Sequence, residues 1–341
     1  MFVALAGGIG AARYLRGLVR VVAPSDITVI ANVGDDIELH GLHVSPDIDT
    51  VVYTLAGVVH PEQGWGRRDE TFHIAEELAR VGEPTWFRLG DRDLATHIVR
   101  TARLRAGATL SEVTAELVTA FGLELRILPA TDDPVATRIA TADGRELHFQ
   151  EYWVREHGAP PVVGVRLDGA DAARPAPGLI DAILGAEAVL ICPSNPVVSI
   201  GTILAVPGIV DALTETGAPV VGVSPIVGGA VVRGMADRLL PAVGAAVSAA
   251  GVAAMYRTWL DGWVIDRRDL DAAGEIEAMG IAVAVTDTVM DTIETSEAVA
   301  RTALALAGRI RGPGWVADPL DPSGGTGPTP GEAKRRARAV A

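Results

Sequence analysis

The sequence lacks the residues and segments that define several classes of protein. Cys192 is the only cysteine among 341 residues, so no intrachain disulfide is possible, which is typical of a reducing compartment. No apolar run reaches the roughly 18 to 20 residues of a membrane-spanning helix. The first apolar stretch, residues 2–6, has no basic leader before it and ends in glycines, unlike a signal peptide. We therefore expect a cytoplasmic protein without a membrane partner.

Positive charge is also scarce. The chain has 29 basic and 43 acidic residues, which gives a formal net charge of −14. A nucleic-acid-binding protein usually carries a basic field, so we expect no nucleic-acid partner. The Walker A lysine is missing, and no HExxH pair or cysteine cluster offers a zinc site.

Short, fully apolar runs alternate with helix-compatible segments along most of the chain. Continuous apolar runs of this kind are typical of parallel strands that are buried on both faces. We predict an α/β fold with a Rossmann-like, doubly wound and mainly parallel sheet, in which ligands bind at the carboxyl ends of the strands. The runs that carry this prediction are residues 2–6, 27–32, 188–193 and 218–225.

Residues 125–180 show a different pattern, in which apolar and polar residues alternate. Ala142-Asp143-Gly144 has the composition of a hairpin turn. We predict a smaller α+β insertion here, which divides the core into residues 1–124 and 181–312. The tail, residues 313–341, is rich in Gly and Pro and is predicted to be mobile.

The glycine turn Gly7-Gly8-Ile9-Gly10 connects the first predicted strand to the first helix. Glycines at this place let the backbone approach a phosphate while the N–H groups of the helix point at it. The Rossmann fingerprint is incomplete, because Arg13 stands at its sixth place and the second strand ends in Asn32 instead of an acid. The turn therefore indicates an anion, without indicating NAD or ATP. An ordinary tight connection is the alternative.

Four aspartates, Asp35, Asp36, Asp47 and Asp49, fall close together just after the second predicted strand. Oxygen ligands without cysteine suit Mg²⁺, which commonly takes one or two carboxylates and completes its shell with water and phosphate. The alternative is a solvated loop in which Ser45 or Asp47 caps the following helix. Four carboxylates beside a glycine turn favour the metal.

Two further segments offer groups for a ligand. Residues 85–88 form a strand candidate that presents Trp86 for stacking and Arg88 for gripping an anion or a polar ring. The loop at 192–201 follows a buried strand and offers Ser194, Asn195 and backbone N–H groups to a nucleotide. Helix capping and ordinary turns are the alternatives for both segments.

Taken together, these motifs resemble one family, the CofD-type 2-phospho-L-lactate transferases, called phosphoenolpyruvate transferases in actinobacteria. The resemblance spans most of residues 1–310. The stretches that carry it are LAGGIGAARYLRGL (5–18), NVGDD (32–36), SPDIDTVVYTLAG (45–57), WGRRDETF (65–72), WFRLGDRDLATH (86–97), FQEYWV (149–154), CPSNPVVSIGTIL (192–204) and SPIVGG (224–229).

The resemblance implies a homodimeric, Mg²⁺-dependent enzyme of coenzyme F(420) biosynthesis. Such enzymes join the deazaflavin Fo to a three-carbon acid activated by guanosine diphosphate, either enolpyruvyl or lactyl, and release GMP. We place Mg²⁺ on Asp35, Asp36, Asp49 and Asp47, and the catalytic roles on Asp49 and Asp36. The guanosine diphosphate is placed at Gly8, Gly10, Ser194, Asn195 and Gly201, and Fo at Asp49, Trp86 and Arg88.

Two other classes of function stay open at this point. The same arrangement of carboxylates and glycines serves other Mg²⁺-dependent nucleotidyl transferases, which an assay with a different acceptor would separate. A non-catalytic deazaflavin-binding protein would bind Fo tightly without forming GMP.

Overall fold

The computed structural model describes residues 1–312, so the predicted tail at 313–341 lies outside the described residues. The strands are Phe2–Ala6 (β1), Ile27–Ala31 (β2), Ile37–Leu39 (β3), Leu42–Val44 (β4), Arg126–Pro129 (β5), Ala136–Thr141 (β6), Glu146–His148 (β7), Val162–Asp168 (β8), Ala188–Ile191 (β9), Val220–Val223 (β10), Ile226–Val227 (β11), Ala230–Val231 (β12), Gly262–Asp266 (β13) and Ala282–Thr286 (β14).

Helices alternate with these strands along the chain. The α-helices are Gly8–Leu18 (α1), Pro46–Leu55 (α2), His73–Arg80 (α3), Asp91–Arg105 (α4), Leu110–Ala120 (α5), Leu179–Leu184 (α6), Ile200–Ala205 (α7), Ile209–Glu215 (α8), Ala236–Ala242 (α9), Ala249–Tyr256 (α10), Ala273–Ala278 (α11) and Ile293–Arg311 (α12). Short 3₁₀ turns lie at Pro24–Asp26, Ala170–Ala172 and Arg267–Ala272, and a π-helix at Glu151–Arg155.

Seven strands form one parallel sheet in the order β14-β13-β10-β9-β1-β2-β5. Numbered by their order along the chain, these strands read 7-6-5-4-1-2-3, which extends the Rossmann order by one strand. The predicted α/β fold with a mainly parallel sheet is confirmed. The strand order reverses between β1 and β9, and in this class of sheet a ligand crevice opens outside the carboxyl ends at that point.

The central strands form because their residues are mostly apolar and are buried on both faces. Thr28 in β2 and Asp266 in β13 are the polar residues buried among them. All residues of β1, β2, β9, β10 and β13 are buried. Helix α1 covers the sheet and packs against α12 and α2. Gly17 permits this packing, since a Cβ there would lie 2.2 Å from the backbone of Ser296 in α12.

A second, antiparallel sheet in the order β7-β6-β8 forms the smaller α+β part. The turn between β6 and β7 includes Ala142-Asp143-Gly144, where the hairpin was expected. Strand β5 lies inside the predicted range 125–180 but pairs with β2 in the central sheet, so the antiparallel strands begin only at Ala136. The division of the chain into domains at 124 and 180 stays a prediction.

Two further secondary-structure predictions differ from the structure. Residues 85–88 form no strand, so that prediction is wrong. Ser45 precedes α2, but its side chain donates to Asp36 instead of capping the helix. None of the helices in residues 1–312 combines the length and apolar character needed to cross a membrane.

Candidate active site

A cavity of about 610 Å³ lies where β1 and β9 end. The loops after these two strands are joined by a hydrogen bond that the Gly7 N–H donates to Ser194 Oγ at 3.1 Å. The first turn of α1 and residues of α2 and α4 complete this side of the cavity. Of the residues assigned roles from the sequence, the following line it: Gly8, Gly10, Asp35, Asp47, Asp49, Arg88, Ser194 and Asn195.

The glycine turn has two physical reasons for its composition. Gly8 has φ +69°, in the left-handed region that favours glycine. A Cβ on Gly7 would lie 2.8 Å from Asp47 Oδ2 and 2.6 Å from Ser199 Cβ, and one on Gly10 would lie 2.2 Å from the Pro193 carbonyl oxygen. The glycines therefore allow Asp47 and the loop after β9 to approach the N-terminus of α1 closely.

Asp35 and Asp47 form a buried carboxylate pair at this helix N-terminus. Asn32 Nδ2 donates to Asp47 Oδ2 at 2.9 Å, and the Asn32 Oδ1 accepts from the Gly34 N–H at 2.9 Å. Burial raises the pKa of Asp47 to about 6, against the lowering effect of Asn32. Burial and the Asp47 charge also raise the pKa of Asp35 well above its ordinary value.

The geometry of this pair fits a divalent cation. Asp35 Oδ1 is buried and has no hydrogen-bond partner among the described residues. Neither Asp35 nor Asp47 forms an ion pair within residues 1–312. A buried carboxylate is costly unless it is paired or coordinates a metal. The Asp47 charge acts on Asp35, and the carboxylate oxygens of both residues are hard ligands of the kind that Mg²⁺ takes.

Asp36 is directed to a different environment and does not line the cavity. Its Oδ2 accepts from Ser45 Oγ at 2.7 Å and lies 3.0 Å from His43 Nε2, while its carbonyl oxygen lies 3.1 Å from His148 Nε2. Burial raises the pKa of Asp36, and the contacts with His43 and Ser45 oppose that rise. Asp36 therefore connects the loop after β2 to the β3–β4 hairpin and to β7.

Asp49 lines the cavity, and its carboxylate forms an ion pair with a buried arginine. Arg100 is fully buried and its guanidinium binds both carboxylate oxygens of Asp49, one of them at 3.0 Å. Burial opposes the charge on Arg100, but the Asp49 carboxylate outweighs it and raises the pKa of Arg100. Asp47 and Asp49 are two residues apart on α2, and so they point in different directions.

The Asp49–Arg100 pair belongs to a larger polar network under the cavity. His97 Nδ1 lies 3.7 Å from Asp49 Oδ2, His97 Nε2 lies 3.4 Å from Asp93 Oδ2, and Tyr53 donates to Asp93 Oδ1 at 2.7 Å. Asp49, Asp93 and His97 offer ligand atoms within 4.8 Å of one another. A cation there would meet the buried charge of Arg100, so the Asp35–Asp47 pair is the better metal site.

Aromatic side chains form another part of the cavity wall. Trp65, Phe87, Phe149 and Trp153 line it, whereas Trp86 does not. Trp86 instead packs edge-on against Phe87, with ring centroids 5.8 Å apart. Arg88, which does line the cavity, has its guanidinium carbon 4.0 Å from the centroid of the Phe72 ring.

The loop after β9 is organised by Asn195. Its Oδ1 accepts from the Val197 N–H at 2.9 Å and from the Val198 N–H at 3.3 Å, which fixes the turn that leads into α7. Gly201 lies within α7, where a Cβ would meet the Pro196 carbonyl oxygen at 3.0 Å, and it does not line the cavity.

Several residues of the site carry no local signal in the sequence. Arg100 is one of several arginines in the fifteen-residue helix α4 and lies 51 positions from Asp49. Trp65 and Arg233 reach the cavity from segments without regular structure. Asn32 could have been found, because it directly follows β2, shortly before the aspartates, and stands where an acid is usual in dinucleotide-binding folds.

The fold and the site define the class of the protein. It is an α/β protein with a Rossmann-like sheet whose cavity, at the switch point, combines a helix N-terminus with buried carboxylates suited to a divalent cation and a phosphorylated ligand. The chain belongs to the 2-phospho-L-lactate transferase CofD family, whose model matches residues 2–299. The predicted family is thus confirmed, and the protein is a transferase.

Relatives of known name agree with this assignment. A phosphoenolpyruvate transferase of Kitasatospora aureofaciens is 54% identical over 315 residues, which cover 91% of this chain and 98% of that protein. The phosphoenolpyruvate transferase of Streptomyces coelicolor is 53% identical over 314 residues, with the same two coverages of 91% and 98%. A crystal structure of a Bacillus halodurans protein has a TM-score of 0.59 at 17% identity, covering 89% of this chain and 98% of that one, which shows the fold alone.

From the carboxylate pair we predict that the increase in Tm caused by Mg²⁺ depends on pH. The folded-state pKa of Asp47, about 6, lies above its ordinary value of 3.8, so without metal its contribution to stability falls as the pH rises from 3.8 through 6. Mg²⁺ competes with the proton for this carboxylate. We expect the increase in Tm caused by Mg²⁺ to be small at pH 5 and to grow up to about pH 7.5.

Thermal unfolding at several pH values, with and without Mg²⁺ at matched ionic strength, measures this effect. Asp47→Asn removes the titrating group and should flatten the pH dependence. A shift in Tm that is independent of pH, or one that Asp47→Asn leaves unchanged, would contradict the assignment of the metal to this pair.

Proposed function

We propose that the protein transfers a three-carbon acid phosphate, phosphoenolpyruvyl or 2-phospho-L-lactyl, from a guanosine-diphosphate-activated donor to the ribityl hydroxyl of the deazaflavin Fo. GMP leaves, and a coenzyme F(420) precursor forms. The observation that carries the proposal is the buried Asp35–Asp47 pair, without an ion-pair partner in residues 1–312, at the N-terminus of α1. The names of the relatives favour the phosphoenolpyruvyl donor.

Phosphoryl transfer requires positioning and charge neutralisation more than covalent chemistry by the protein. We propose that Asp35 and Asp47 hold Mg²⁺, which supplies charge stabilisation to the phosphate oxygens when bound. The N–H groups of the glycine turn, with Ser194 and Asn195, bind the diphosphate side of the donor. In the reaction the Fo oxygen bonds to the phosphorus that carries the acid, and the bond from that phosphorus to the GMP oxygen breaks. The hydroxyl proton leaves to a base in the cavity, for which Asp49 is the candidate.

Asp49 is the candidate for orienting the attacking hydroxyl. It lines the cavity, and Arg100 holds its carboxylate from the buried side. A carboxylate fixed in this way accepts a hydrogen bond from the hydroxyl and directs the oxygen lone pair toward the phosphorus. Asp36 lies outside the cavity lining, so we propose that it supports the site through His43 and Ser45.

A product assay tests the proposal. Purified protein with Fo, Mg²⁺ and either the enolpyruvyl or the lactyl donor should yield GMP and the phosphodiester product in equal amounts, and EDTA should stop the reaction. Comparison of kcat/KM for the two donors assigns the three-carbon acid. Absence of GMP with both donors would refute the proposal, and GMP release without Fo would indicate a hydrolase.

The homodimer stays a prediction. Light scattering of the purified protein tests it by measuring the molar mass in solution.

We propose that the planar ring of Fo packs against Trp65 and Trp153. Both side chains line the cavity and are 44% and 41% exposed, so they are open to a ligand and contribute little to the core. Stacking on an aromatic ring contributes about 1 kcal/mol or more beyond the burial of area. Trp65→Leu and Trp153→Leu should each raise the Kd for Fo by about 5- to 10-fold.

Trp86→Leu is the matched control, because Trp86 lies near the cavity without lining it. The intrinsic fluorescence of Fo permits the titrations. A larger loss of affinity in Trp86→Leu than in the other two variants would contradict this proposal and would place the Fo ring at Trp86, as expected from the sequence.

A further inference from the structure

Two arginines that have few acidic partners line the same cavity. Arg13 lies on α1, one helical turn beyond Ile9 of the glycine turn, and Arg233 lies between β12 and α9. Both line the cavity. Arg233 and Ile9 both lie beside Gly64. A Cβ on Gly64 would be 3.6 Å from Arg233 Nη1 and 3.0 Å from Ile9 Cγ2. Arg233 therefore reaches the first turn of α1 from another segment of the chain.

The charges of these arginines are poorly compensated. Within residues 1–312, Arg233 has no hydrogen-bond or ion-pair partner, and Arg13 has only Asp291 at 3.7 Å, whose side chain is 74% exposed. An exposed pair at that distance contributes little. Burial and the charge of Arg13 lower the pKa of Arg233. Two like charges directed at one cavity are unfavourable in the free protein, and an anionic ligand removes that cost.

The position of Arg233 is set by the segment around it. Asp269 accepts hydrogen bonds from the N–H groups of Gly228 and Gly229, at 2.8 and 3.0 Å, and so anchors the β11–β12 hairpin before Arg233. Met235, two residues after Arg233, is buried. The arginine is therefore carried by a segment that is fixed at both ends.

We propose that Arg13 and Arg233 form a two-arginine clamp for an oxyanion of the donor, either the carboxylate of its three-carbon acid or a phosphate. The inference rests on the proposed function for the identity of the ligand. The guanidinium group presents parallel N–H donors that match both kinds of oxyanion bidentately. The Asp35–Asp47 pair would hold the metal, and the clamp would neutralise further negative charge on the donor.

Binding measurements without turnover test the clamp. Calorimetry with Mg²⁺ and two probes, pyrophosphate and phosphoenolpyruvate, is done on wild type, Arg13→Gln and Arg233→Gln. Each variant should raise the Kd by at least about tenfold, because a charge-assisted hydrogen bond is lost. A loss confined to phosphoenolpyruvate assigns the carboxylate, whereas a loss with both probes assigns a phosphate. Arg301→Gln, at an exposed ion pair on α12, is the matched control and should leave Kd unchanged.

The free variants provide a second readout. Removal of either charge relieves the repulsion, so the Tm without ligand should stay the same or rise by about 1 °C. Equal affinities in wild type and both variants, or failure of wild type to bind either probe at millimolar concentration, would overturn the clamp. These outcomes are independent of GMP formation, so failure of the clamp and failure of the proposed reaction are distinguishable.

Discussion

Asp35→Asn and Asp47→Asn are each expected to lower turnover by at least about 100-fold, or about 2.7 kcal/mol in activation free energy. Each change removes an anionic ligand from the pair that we assign to Mg²⁺. Because burial raises the pKa of both carboxylates, the charge is costly in the free fold, and its removal should maintain or increase the Tm without metal. The loss of activity should therefore occur in folded protein, measured as GMP formation beside thermal unfolding.

Asp36→Asn is the informative comparison. The sequence analysis assigns Asp36 to Mg²⁺, like Asp35 and Asp47, and also gives it a catalytic role. In the structure Asp36 contacts His43 and Ser45 and lies outside the cavity lining. We expect a loss of less than about tenfold, together with a lower Tm, since a buried hydrogen-bonded acceptor is weakened. Wild-type turnover in Asp47→Asn, or an equal collapse in all three variants without a change in Mg²⁺ affinity, would contradict the metal assignment.

The central sheet was predictable because its signal is local. Each of β1, β2, β9 and β10 is a short apolar run, and a strand that is buried on both faces requires no information beyond its own residues. Residues 85–88 combine two aromatic residues with a threonine and an arginine, and they form no strand. Strand formation there needed a neighbouring strand to pair with, and the sequence does not show which edge is available.

The candidate site was predictable only in its framework. The place of the aspartates after β2 and of Ser194 after β9 follows from the rule that strand ends meet at one edge of a parallel sheet. The role of each carboxylate depends on partners that are distant in sequence. Arg100, 51 positions away in the sequence, forms an ion pair with Asp49. Because Asp35 and Asp47 have no such partner, they are the better cation site.

The ion pair of Asp49 and Arg100 gives the largest expected effect on stability. Arg100→Met leaves the Asp49 carboxylate buried beside Asp93 and Asp36, with no guanidinium to compensate them. Removal of one partner of a buried pair costs about 3 to 5 kcal/mol in the free energy of unfolding. For a chain of this size, we expect the Tm to fall by about 4 to 7 °C. Denaturant and thermal unfolding measure the two quantities.

The double variant Asp49→Asn/Arg100→Met separates stability from catalysis. With both charges removed, Asp49 no longer leaves an unpaired charge in the buried network, so part of the lost stability should return and the double-mutant cycle should show a favourable coupling. Turnover should stay low, because the carboxylate that we propose to orient the Fo hydroxyl is gone. If the double variant recovers both stability and turnover, Asp49 has only a structural role. Another group that lines the cavity then orients the attacking hydroxyl. Asp93 is the candidate, because it lines the cavity and belongs to the same polar network.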